Sequence, residues 1–141
     1  MDFKLKTHRI GKAFHGCYFF ILNKGLNAGK PLLEPCPNCW IISMNSEQDL
    51  QRLYTLQTAL WHSGACKFYL IGSVIFFIRI HTMEQLLKRA ISQVNFDDLE
   101  EASCTLKQVL EIENIFRIQL RSAQKLRRVL YSRLLKDLEL T

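Results

Sequence analysis

Aromatic and branched residues crowd positions 13–22, which read AFHGCYFFIL, and an apolar run returns at positions 39–44, CWIISM. Runs of this kind suit a pleated, half-buried surface, so both predict strands, the first with Gly16 as a candidate bulge. Positions 1–12 are basic and lack a clear period, which fits a short edge strand or a basic arm. From position 45 the spacing turns helical. Asn45 and Ser46 offer an N-cap, and Glu47 and Asp49 put acids where the helix dipole favours them. Leu50, Leu53, Tyr54, Leu60 and Trp61 recur on one side, which predicts a helix of about four turns running to His62 and stopped by Gly64. Gln57 sits on that stripe and Leu56 lies beside it, so the packing face is imperfectly drawn. Positions 66–71 and 73–80 predict two more strands separated by Gly72, the second apolar on both faces and therefore buried. Thr82 and Gln85 then read as a capping box for a short helix whose inner side is Leu86, Leu87, Ala90, Ile91 and Val94, ending near Asn95.

Beyond Asp97 neither glycine nor proline interrupts the chain, and apolar residues continue at helical spacing through Leu106, Val109, Ile112, Phe116, Leu120, Ala123, Leu126, Leu130 and Leu134. One long helix or a helical hairpin is predicted. At about 1.5 Å per residue a continuous helix would exceed roughly 50 Å, more than a domain of this size covers, so part of it must project, pair with itself or meet a partner. The expected fold is α+β. A mostly antiparallel sheet of four or five strands carries helices 46–62 and 82–94, and long C-terminal helix material follows. The expected organisation is an α+β domain over residues 1–95 and a helical segment over residues 96–141, packed on that domain or mediating association.

Between the first two strands, positions 21–40 contain three prolines, two glycines, three asparagines and two cysteines. That density of backbone-restricting residues builds neither helix nor long strand, so a fixed, irregular surface crossing is expected, the kind of segment where function tends to sit.

Composition narrows the class. The chain has 141 residues, 48% of them hydrophobic, enough for one buried core. Its longest apolar run, positions 68–78, is broken by Gly72 and Ser73 and is about half of the roughly 20 residues a membrane helix needs. No transmembrane segment is expected, and the N-terminal residues lack the apolar core of a secretory signal, so a cytoplasmic chain is expected. Five cysteines, an odd and irregularly spaced set, predict reduced thiols rather than a disulfide framework.

The net charge of +6 is unevenly placed. Residues 1–30 carry six cations and one acid, residues 96–113 one cation and six acids, and residues 114–136 seven cations and no acid. Either this is ordinary solvation of a surface, or the basic clusters face a polyanion.

Several motifs invite chemistry. Gly25 to Pro31 resembles a phosphate-binding loop, but the spacing is one residue short and Pro31 stands where a hydroxyl and an N–H are required. A turn presenting Lys24 and Lys30 to an anion remains, beside a purely structural turn. Cys36 and Cys39 have the spacing of half a zinc site without a second half, so they are weak metal candidates and otherwise a tight turn with inward thiols. His15 near Cys17 suggests a nucleophilic pair, but no third group orients it. No catalytic residue and no cofactor are assigned. Arg117, Arg121, Lys125 and Arg128 step by four, four and three along one helix side next to the apolar stripe. Their repulsion calls for an opposite charge, either acids such as Glu100, Glu101, Glu111 and Glu113 on a paired helix or phosphates.

The segments RIGKAFH at 9–15, YFFILNKGLNAGKPL at 18–32, PCPNC at 35–39, Leu60-Trp61 and GSVIFFIRI at 72–80 resemble an uncharacterised family of proteins from anaerobic gut bacteria over roughly residues 8–85. Phe76 departs from the proline expected there. The layout, a β-rich module followed by a long helix, together with the Gly72–Ile80 segment, is also similar to the target-recognition domains of type I restriction specificity subunits. That similarity implies DNA contact through basic loops.

The expected function is therefore a non-enzymatic binding module. Nucleic acid is the leading ligand, contacted by Lys24, Lys30, Arg117, Arg121, Lys125 and Arg128. The alternative is a structural or interaction module that assembles with itself or another protein through the C-terminal helix. A small metal- or phosphate-dependent enzyme stands third.

Overall fold

The two strongest strand signals become the centre of the sheet in this computed structural model, which describes residues 1–138. Strands β1 (Lys4–Thr7), β2 (Cys17–Leu22), β3 (Pro31–Leu32) and β4 (Cys39–Met44) form one sheet in the order β1-β4-β2-β3, every pair antiparallel. Helices α1 (Glu47–His62), α2 (Ile80–Gln93) and α3 (Phe96–Asp137) follow, with a 3-10 turn at Ala65–Tyr69 after α1. This is the α+β architecture expected, and α3 is one continuous helix rather than a hairpin.

Period-two alternation decides the inner face. Register puts Phe19 opposite Ile42, Ile21 opposite Trp40, and Leu5 beside Ile42, so one face of β2, β4 and β1 is apolar apart from Thr7 at the edge. Leu50, Leu53 and Leu56 of α1 and Met83, Leu86 and Leu87 of α2 close that face into the main core. Ser46 caps α1 by accepting from the Asp49 N–H at 3.3 Å, and Gly64, at φ 81°, takes the left-handed step after the helix. Gln57 on the stripe is fully buried: its Nε2 donates to the Gly29 carbonyl at 2.6 Å, so the polar residue fastens α1 to the loop between β2 and β3.

Three expectations change. Residues 66–71 and 73–80 are not sheet strands. Gly72, at φ 111°, turns the chain so tightly that the Ile75 carbonyl occupies the place of a Cβ, and Ile71 and Phe77 then exchange both backbone hydrogen bonds at 2.9 Å. The run closes on itself and meets the chain beyond β2 through a single antiparallel bridge, Lys24 to Phe77, without becoming a strand of the sheet. Within residues 73–80 only Ile78 is buried, while Val74 is 90% exposed. Finally, α2 starts at Ile80, two residues before the expected capping box. Arg79 is its N-cap with no side-chain cap bond, and Gln85 Nε2 meets His81 Nε2 at 3.0 Å instead of reaching back to a cap.

The chain divides into two compact units, Met1–Glu100 and Glu101–Thr141. Phe96 and Leu99, in the first turn of α3, pack against the main core of the first unit, and Arg52 Nε donates to Glu100 Oε1 at 2.7 Å there.

Candidate nucleic-acid interface

The second face of the sheet is built by the residues that alternate away from α1. Lys6 lies opposite Ile41, which lies opposite Phe20, and Lys4 lies opposite Ser43, which lies opposite Tyr18. Phe20, Cys39 and Ile41 are buried there under Phe14, Leu32 and Cys36. Four rings adjoin one another on this face. His8 stands 5.2 Å from Phe20 and 5.6 Å from Phe14, and Tyr18 stands 5.6 Å from Phe20 and 6.1 Å from Phe14. The cluster is not sealed, since Tyr18 remains 36% exposed.

Cations border those rings. After β1, the Lys12 N–H donates to the Arg9 carbonyl at 3.2 Å across a turn in which Gly11 has φ 80°, and the Lys12 ammonium comes to 5.8 Å from the Phe14 ring centre. Lys6, Thr7, Arg9, Lys12 and Phe14 line one open depression of about 390 Å³. Among the described residues the ion pairs are Arg52–Glu100, Lys88–Glu84 and Arg117–Glu113, so no carboxylate neutralises Lys6, Arg9 or Lys12. His8 Nδ1 is buried without a hydrogen-bond partner. Sequence reasoning passed over this cluster because positions 1–12 show no period by themselves. The usable signal was the alternation of Lys4 and Lys6 matched by that of Tyr18 and Phe20, which becomes a common face only once the strand pairing is known.

The residues singled out from sequence fall in different places. Lys24 and Lys30 are exposed in the first unit. Lys30 lies over Trp61, its ammonium 5.3 Å from the ring centre. The turn between them is structural in its hydrogen bonding. The N–H groups of Gly25, Ala28, Gly29 and Lys30 donate to the carbonyls of Phe76, Gly25, Leu22 and Asn27, so these donors already have protein partners. Arg117, Arg121, Lys125 and Arg128 are exposed on α3 in the second unit, where Arg117 pairs with Glu113 at 2.9 Å. Arg128, Arg133 and Lys136 border a shallow depression with Val129 and Ser132.

The cysteine motifs pack rather than react. Cys39 donates its thiol to the Cys36 carbonyl at 3.0 Å and accepts from the Cys36 N–H at 3.4 Å, the tight turn with an inward thiol. Burial pushes the Cys39 thiol above its ordinary range. Cys17 and His15 share a depression with Asp2 and Lys4, but a hydrogen bond to Glu47 raises the Cys17 pKa, the opposite of what an activated thiolate needs. Among the described residues no three His, Cys, Asp or Glu side chains gather as metal ligands. No described helix is long and apolar enough to cross a membrane.

Against known proteins, a family model described as a family of unknown function (DUF6943) matches residues 5–133. No curated protein and no solved structure matches the chain.

Proposed function

The chain belongs to that family of unknown function, and from this premise, which brings no activity with it, we propose a non-enzymatic module that binds nucleic acid through the open face of its sheet. The observation that carries the reading is the meeting of Lys6, Arg9 and Lys12 with Phe14 around one open depression, with His8 and Tyr18 alongside. Cations that follow a phosphate backbone, next to rings on which bases stack, are the recurring means of holding a single strand. The exposed row Arg117, Arg121, Lys125 and Arg128 adds phosphate contacts, as do Lys24 and Lys30. The resemblance to the target-recognition domains of type I restriction specificity subunits, read from the sequence alone, would imply DNA as the nucleic acid, and a bacterial cytoplasm belongs to the same proposal.

Anisotropy titration of labelled single-stranded DNA, duplex DNA and RNA at two salt concentrations tests this. Binding should weaken with salt, and each of Lys6→Ala, Arg9→Ala and Lys12→Ala should lower the salt slope by about 0.7 for a single strand. No binding to any of the three at low salt, or binding indifferent to salt, refutes the reading. A second reading, assembly through α3, is favoured by the exposed apolar row on that helix.

A further inference from the structure

From residue 101 to the end of the described chain, α3 has no buried residue, yet it carries Val109, Ile112, Phe116, Leu120, Leu130 and Leu134 exposed to solvent, Phe116 by 64%. Helices in proteins draw most of their stability from packing an apolar face, and an exposed apolar stripe marks an association surface. The spacing of the stripe identifies its occupant. Counting down from Phe116 the stripe falls at Ile112, Val109, Thr105 and Ala102, in steps of four, three, four and three. Counting up it falls at Leu120, Ala123, Arg127 and Leu130, in the same steps. A seam that reads alike in both directions matches itself under a two-fold axis through Phe116 and perpendicular to the helix. We propose that residues 101–137 of α3 pair with the same stretch of a second copy, antiparallel and centred on Phe116.

In that register Ile112 lies opposite Leu120, Val109 opposite Ala123, Thr105 opposite Arg127 and Ala102 opposite Leu130, with Phe116 against its own counterpart. Steps of three and four are those of knobs-into-holes packing. Charge selects the direction. Residues 96–113 hold six carboxylates against one lysine, and residues 114–136 hold seven cations and no carboxylate. A parallel pair lays like charge on like along its whole length, whereas the antiparallel pair lays the acidic half on the basic half. Glu113 and Arg117 lie on one flank of the seam, and Glu101 and Arg133 on the other. The two-fold axis therefore brings each acid near the cation of the second copy. The Glu113–Arg117 ion pair at 2.9 Å within one helix then becomes part of a four-charge cluster at the axis. The pairing does not depend on the nucleic-acid reading.

The test uses the full chain with Cys17→Ser and Cys36→Ser, leaving Cys104 as the exposed thiol for a spin label. Sedimentation equilibrium, repeated after nuclease treatment, should show a dimer. Ile112→Asp and Leu120→Asp should each weaken self-association by more than tenfold, while Lys107→Asp, outside the seam, should not. Label-to-label distance fixes the direction. With the axis at Phe116 the two Cys104 positions are 24 residues apart along the pair, about 36 Å at 1.5 Å per residue, whereas a parallel pair holds them within roughly 15 Å. A monomer at every concentration, a dimer indifferent to both seam variants, a dimer lost to nuclease, or labels within the short distance each overturns the proposal.

Discussion

Gly29→Ala measures how much the fold depends on a single close approach. Gly29 sits in the loop between β2 and β3 at φ 96°, and a Cβ there meets Cys66 Sγ at 2.6 Å and Cys66 Cβ at 2.7 Å. Both atoms belong to a fully buried residue behind α1, so neither can swing aside. Two costs combine: roughly 1–2 kcal/mol for an L side chain in the left-handed region, and about 1–3 kcal/mol for overpacking a filled core. The Gly29 N–H also donates to the Leu22 carbonyl at 2.7 Å, and its carbonyl accepts from Gln57, so a backbone shift that relieves the clash weakens both bonds. The expected loss is roughly 2–5 kcal/mol. Gly25→Ala supplies the internal control, because Gly25 has φ 90° in the same loop with nothing within 4 Å of the added carbon. Urea unfolding of the two variants separates the terms, and Gly29→Ala should cost at least about 1 kcal/mol more. In a Cys66→Gly background, which lacks both obstructing atoms, Gly29→Ala should cost no more than Gly25→Ala, whereas in a Cys66→Ser background the extra cost should persist. Equal losses for Gly29→Ala and Gly25→Ala would show that the contact with Cys66 contributes nothing.

Burial pushes the Cys66 thiol up to about 11 from an ordinary 9.0. The unfolded chain therefore releases this proton first, and stability that is intact below pH 9 should fall between about pH 9 and 11. Comparing alkaline unfolding curves of the protein and of Cys66→Ala checks this, since the variant should lose the Cys66 part of the decline. The same burial should make Cys104 react with a thiol reagent in the folded state while Cys66 reacts only after unfolding, measured by mass spectrometry of labelled peptides. Glu100→Gln removes the partner of Arg52 in a solvent-accessible pair, so the loss of stability in urea unfolding should be small and should shrink as salt is added. Phe14→Ala should weaken single-strand binding by about 1–3 kcal/mol per stacked base lost, with the salt slope unchanged, in the titration that tests the lysines.

Most of the α+β architecture could be read from the chain because local signals agree with tertiary need at the strongest elements. Over Cys39–Met44 and Glu47–His62, period, cap and stop signals all point to the structure found. Where they fail, one glycine outweighs a run of apolar residues. Val74 and Ile75 look like strand from composition, yet the positive φ of Gly72 folds them into an exposed loop. Gln57 looked like a defect in the α1 stripe because its partner, the Gly29 carbonyl, is 28 residues away and invisible to any local window. The sheet-face cluster was hidden for the same reason. Lys6 and Phe20 are brought into one row by β4 between them, and no spacing rule joins positions 6 and 20.

The two faces of the sheet explain why cations and rings meet on the side away from α1. An antiparallel sheet can leave one face to water, and the usual outward residues are then polar. Here α1 and α2 cover one face, while β2 and β4 turn Tyr18, Phe20 and Ile41 to the other. Phe14 and His8 cover part of that apolar area, and Lys6, Arg9 and Lys12 border what they leave open. Solvation alone would be served equally by carboxylates, which would also neutralise the lysines and anchor β1 at the sheet edge. Their absence among the described residues beside these three cations leaves uncompensated positive charge against half-buried rings, an arrangement that a phosphate-linked base satisfies at both ends. If Lys6→Glu, Arg9→Glu and Lys12→Glu together leave polyanion binding unchanged while the fold is intact by circular dichroism, the charge serves solubility alone and the sheet face is not the interface.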